Sequence, residues 1–108
     1  MPSLRNTLTN NVGTTPARLT FTSNLKNQTV LGLNVCNKGS DYITVDGYLS
    51  NGSTEVYIFK SLEVQPTTTV VAIGDNQRLL VDGSQELYIK ASANSNVDVI
   101  LTIAESDV

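Results

Sequence analysis

Ten carboxylates, one thiol, four phenols and no imidazole are the side chains this 108-residue chain has available for chemistry. Acid and base work, or cation binding, needs carboxylates brought together. Asp41, Asp46, Asp75, Asp82 and Asp98 instead fall in or beside turn-prone stretches, where an Asx side chain caps backbone amides unaided. No Asp-x-Asp-x-Asp loop of the calcium-binding kind occurs. Cys36, the single cysteine, has no second thiol to pair with and no His to activate it, so it reads as a small packed residue rather than a nucleophile. A Gly-rich phosphate loop, a Gly-x-Ser-x-Gly elbow and paired-Cys metal spacing are all missing. The sequence therefore predicts no catalytic residue, no bound metal, no cofactor and no enzyme activity.

The aromatic residues point to contact rather than turnover. Tyr42, Tyr48, Tyr57 and Tyr88 all fall on strand faces expected to point outward, with Phe59 beside Tyr57. Such rings pair across strands to stiffen a solvated sheet, anchor a protein interface or stack on sugars. A sugar site is the weakest of the three, because the chain has no Trp.

The elements that carry these residues are extended. Val97, Val99, Leu101 and Ile103 recur at every second position with Asp98 and Thr102 between them, the period of a strand with one buried face. Similar patterns predict strands over 17–22 (Leu19 and Phe21 inward), 28–36 (Leu31, Leu33 and Val35 inward) and 41–49 (Ile43, Val45 and Leu49 inward). Further strands are expected over 54–60 (Val56 and Ile58 inward), 67–73, 78–81 and 86–92 (Leu87, Ile89 and Ala91 inward). Gly32, on the face opposite Leu31, leaves room for another backbone to approach. Asp46-Gly47 keeps the alternation on both sides and predicts a bulge within one strand, whereas Asn51-Gly52 is a hairpin turn. The result is an all-β, eight-stranded antiparallel β-sandwich, jelly-roll or immunoglobulin-like, with a small closed barrel as a third option.

Residues 1–16 are polar and irregular, with Gly13 and Pro16 as breakers, and are expected to form an extended N-terminal arm ahead of a single domain over 17–108. Leu4, Leu8 and Val12 are spaced by four and would give that arm three anchors for a neighbouring subunit.

Composition excludes several partners. Seven basic and ten acidic residues are scattered singly, giving a net charge of -3 with no basic stripe, which argues against nucleic acid and against anionic membrane surfaces. No apolar run approaches the roughly 20 residues that span a bilayer, and the first residues lack the apolar centre of a signal peptide, so manufacture and use without secretion is expected. Asn27-Gln28-Thr29 and Asn51-Gly52-Ser53 match the glycosylation pattern and read as chance matches in an Asn-rich chain.

Several stretches resemble small virion proteins of tailed bacteriophages: 30–37 (VLGLNVCN), 45–49 (VDGYL), 56–58 (VYI), 62–66 (LEVQP), 85–93 (QELYIKASA) and 97–101 (VDVIL). Gln65-Pro66-Thr67 departs from the Pro-Ala-Gly turn found in many of that group. The resemblance implies a β-sandwich that decorates heads, necks, tails or fibre-attachment points. On that basis we expect a virion component assembled in the host cytoplasm, a head-decoration or cement subunit contacting major capsid protein and its own copies. Neck, tail or fibre attachment, and a carbohydrate-binding adhesion module, are the alternatives.

Overall fold

A computed structural model describes residues 3–19, 26–74, 79–81, 84–93 and 96–107. Nine strands run in chain order among them: β1 Ser3–Val12, β2 Ala17–Arg18, β3 Lys26–Asn37, β4 Ile43–Ser50, β5 Glu55–Val64, β6 Thr68–Ile73, β7 Leu79–Val81, β8 Glu86–Ala91 and β9 Val97–Asp107. No helix interrupts the described residues. One sheet has the order β1-β9-β3-β6, with β7 also on β3; the other has the order β2-β8-β4-β5.

Every pairing is antiparallel, and first pairs with last. β1 lies along β9, β2 along β8, β4 along β5, and β3 carries β6 on its C-terminal half and β7 on its N-terminal half. Taking β6 and β7 as one interrupted strand, this is a hairpin rolled up on itself, the jelly-roll arrangement. It decides between the two sandwich topologies the sequence left open.

The strand count rises from the expected eight to nine because the supposed arm is itself a strand. Residues 3–12 are extended, but they are hydrogen-bonded to β9 from Ser3↔Glu105 to Val12↔Val97. Val12 is accordingly 3% exposed in the domain's own core and cannot anchor a neighbour, whereas Leu4 and Leu8 stay exposed. Of the strand predicted over 17–22, Ala17 and Arg18 pair with β8 and Leu19 continues through its amide to Leu87; residues 20–22, including Phe21, lie outside the described residues.

The inner faces of the two sheets meet in one core. Val97, Val99, Leu101 and Ile103 from β9 and Val30, Leu33 and Val35 from β3 pack against Val45 from β4 and Leu87 and Ile89 from β8. Truncating any fully buried Leu or Ile here costs about 2 to 5 kcal/mol, since the transfer term and the cavity term add. Asn37 closes one end of the sandwich. Its buried amide donates to the carbonyls of Asp41 (2.8 Å) and Val64 (3.2 Å) and accepts from Gly39 N–H (3.0 Å), tying the end of β3 to the end of β5 in the opposite sheet.

Two departures from the expected faces trace to bulges. A register shift between Val30 and Gly32 puts Val30 in the core and leaves Leu31 only half-buried. In β5 the ladder slips on both sides of Gly47↔Phe59, where Ser61 adopts φ 55° and its N–H reaches Asp46 Oδ1 (2.7 Å). Phe59 therefore turns to the inner side beside Gly47. Val56 keeps the inner side expected of it, opposite Leu49, but at the edge of the sheet it is 62% exposed. The expected Asn51-Gly52 turn is present: Asn51 Oδ1 accepts from the Ser53 and Thr54 amides, and Gly52 takes φ 96°.

Candidate interaction surfaces

Two outer faces carry the residues suited to contact. On the β2-β8-β4-β5 sheet the register lines up Arg18, Tyr88, Tyr48 and Tyr57 in a single cross-strand row. The Tyr48 ring stacks on Tyr88 at 5.5 Å and tilts against Tyr57 at 5.3 Å, and Lys60 Nζ sits 4.4 Å from the Tyr57 centroid. Aromatic pairs at these separations contribute about 0.5 to 1.5 kcal/mol beyond their burial, and a cation over a ring a further fraction.

The row faces outward, as the sequence predicts, yet its middle member is covered. Tyr48 is only 5% exposed because its neighbours' rings close over it. Burial pushes the Tyr48 phenol above its ordinary range, with the charge of Glu55 adding to it. Tyr88 is raised chiefly by its hydrogen bond to the Glu86 carboxylate, and then by burial. Tyr42 stands apart from the row, exposed beside Glu63, whose carboxylate accepts a hydrogen bond from its hydroxyl and so raises its pKa. Of the five aromatic residues the sequence grouped together, three meet; Tyr42 is separate and Phe59 faces the other way.

The outer face of the β1-β9-β3-β6 sheet is different in kind. Two rows of opposed residues cross it: Leu8, Ile100, Asn34 and Val71, and then Leu4, Ala104, Thr29 and Leu80. Leu4, Leu8, Val71, Leu80 and Ile100 are all exposed, Leu8 at 75%. Between the rows lie Asn6, Thr102 and Gly32, with the Thr102 hydroxyl donating to Asn6 Oδ1 (2.8 Å). Gly32 floors an open hollow of about 400 Å³ edged by Leu31, Asn34, Val71 and Thr102. A second hollow of about 440 Å³ lies beside Leu8 and Ile100.

Charge is confined to one end of this face. Among its described side chains Asp98 is the charged one, paired with Lys38 at 3.1 Å and accepting the Asn11 N–H at 3.1 Å. Single exposed aliphatics are ordinary on a soluble protein, but contiguous rows mark contact surfaces. Ile100, Val71 and Leu80 were not singled out from the sequence. The signal was there in β9, where Ile100 breaks the polar phase set by Asp98 and Thr102.

The acidic residues do structural work. Asp46 and Asp98 cap backbone amides, Asp41 offers its carbonyl to Asn37, and Asp75 and Asp82 lie outside the described residues. Among the described residues no three His, Cys, Asp or Glu side chains gather in a way that could hold a metal ion. Cys36 is half-buried and lies on the outer face, opposite Asp98 and Thr69.

No protein-family model and no curated protein matches the chain. Two solved structures of a pentameric capsid protein isolated from metagenomic phage sequences are similar to it at 17% identity and a TM-score of 0.48, over 94% of this chain. The chain spans 59% and 60% of the length of those two chains.

Proposed function

We propose that this chain is a structural protein of a tailed-phage virion, a decoration or cement subunit that lies on the capsid surface and contacts its own copies. The observation that carries the proposal is the outer face of the β1-β9-β3-β6 sheet: two rows of exposed aliphatics interrupted by Asn34 and Thr29, broad and nearly without charge, with one open hollow between them and another beside Leu8. A face of this kind suits broad apposition to another protein, where apolar area is removed from water at about 25 cal/mol per Å². The resemblance of 30–37, 45–49 and 97–101 to small tailed-phage virion proteins supplies the kind of particle.

The tyrosine row supports contact over sugar recognition. Its central ring, Tyr48, is covered by the rings on either side, Tyr88 is half-buried, and Tyr57 is the most exposed of the three. A sugar platform instead presents whole ring faces to solvent. An antibody raised against the folded chain tests the proposal on purified virions of the phage that carries the gene. Label at many symmetric positions on the head is expected. Label confined to neck or tail would move the chain there, and virions containing none of it would overturn the proposal.

A further inference from the structure

β1 forms one outer edge of its sheet. Among the described residues no strand pairs with that edge, and it runs from Ser3 to Val12 without a proline or a lysine. Edges of this length are normally shortened, charged or covered, because their unpaired N–H and C=O groups template another strand. Here Arg5 is the only charge along it, and it pairs with Glu105 at 3.2 Å.

We propose that two copies pair through β1, antiparallel about a two-fold axis at Asn6, so that two five-stranded sheets become one continuous sheet. The choice of register follows from the residues. A two-fold axis between neighbouring antiparallel strands stands perpendicular to the sheet, so each residue faces a residue of its own parity on the same side. Centring on Arg5 would set two guanidinium groups directly opposite each other, which destabilises a ladder. Centring on Thr7 would set Leu4 against Asn10 and Leu8 against Asn6. Centring on Asn6 sets Leu4 against Leu8 twice, Arg5 against Thr7 twice, and Asn6 against itself. It is the register that pairs both exposed leucines.

The same register extends the apolar rows. Through Leu4 opposite Leu8, the row ending at Leu80 in one copy runs on into the row ending at Val71 in the other. Asn6 Oδ1 accepts from Thr102, and a carboxamide can donate through Nδ2 as well as accept, so two copies meeting at Asn6 can bond across the axis. The paired face presented to a particle is then twice as wide as that of one chain.

The inference rests on the reading of this chain as a subunit that contacts its own copies. Residues opposed across an antiparallel pair have Cα atoms about 4.5 to 5.5 Å apart, within the range a disulfide accepts. In a full-length chain carrying Cys36→Ser, mild oxidation of the Asn6→Cys variant should give a covalent dimer at least tenfold faster than oxidation of Asn10→Cys, whose two copies would stand about 25 Å apart. Equal rates, or no dimer from either, would overturn the register. In the otherwise native chain, Leu8→Lys should weaken the dimer at least tenfold in sedimentation, with folding intact at so exposed a position; an unchanged dimer would overturn it too. A monomer that still labels virions removes the pairing and spares the virion role, whereas a dimer absent from virions does the opposite.

Discussion

Gly47 stands directly opposite Phe59 in the β4–β5 ladder, and a Cβ added to Gly47 would run into the Phe59 ring at Cζ and Cε1, closer than real Cβ atoms come to any neighbour. The glycine is required by that ring and not by its own backbone, since its φ is not among the positive ones. Phe59 is only half-buried, so the ring can swing aside at the loss of its packing against the core. Gly47→Ala should therefore destabilise the fold by about 1 to 2 kcal/mol in urea unfolding. In combination with Phe59→Leu the loss should be less than the sum of the two single losses.

Tyr48 should be the costly member of the tyrosine row. It is enclosed by two rings while Tyr57 is partly open, so Tyr48→Ala should cost about 3 kcal/mol and Tyr57→Ala about 1 kcal/mol. A double-mutant cycle between Tyr48 and Tyr88 should return a coupling of about 1 kcal/mol, and a coupling of zero would mean that the rings merely coincide.

Stability should fall in alkali. The phenols of Tyr48 and Tyr88 are raised above 10.0 in the folded chain, by burial for Tyr48 and first by the Glu86 hydrogen bond for Tyr88. The folded state thus holds those protons more tightly than the unfolded chain does. The stability this contributes is complete below about pH 10 and is lost as the pH rises from there through the folded values. Thermal unfolding above pH 10 should show this decline, and Tyr48→Phe with Tyr88→Phe should flatten it. An equally steep decline in the double variant would assign it to other groups.

Val12 and Leu8 should behave as opposites although they are equally apolar and four residues apart. Val12→Ala empties a core position and should cost about 2 kcal/mol of stability with no effect on association beyond that loss. Leu8→Ser should change stability by no more than about 0.5 kcal/mol and weaken association, read by unfolding and sedimentation on the same samples.

Much of the fold is legible in local pattern. The buried face of β9, the Leu87, Ile89 and Ala91 face of β8 and the Asn51-Gly52 turn all follow from alternation and turn chemistry. What alternation does not reveal is where it slips. The bulge at Ser61 and the shift at Leu31 each change which side chain is inside, and Phe59 and Leu31 were assigned to the wrong face for that reason. β1 escaped because its inward-phase residues Arg5, Thr7 and Thr9 are polar and sit at the sheet's edge, leaving no apolar alternation to read. Its partner lies about a hundred residues away, as Ser3↔Glu105 makes plain, and the choice between jelly roll and immunoglobulin-like topology is set by such distant pairings. At the tyrosine row the outward direction was legible, but the cover over Tyr48 depends on two neighbouring strands.

The first-with-last pairing also sets the order in which the molecule can be made. On a ribosome, β1 emerges long before β9 exists, and among the described strand pairs only the β4–β5 hairpin has its two halves close together in the chain. Folding should start there and zip outward through β3 and β8, with β1 closing last against β9. Until then β9 is an open template for any newly made neighbour, so translation at high copy number is the moment when this chain is most exposed to exchanging its first strand with another.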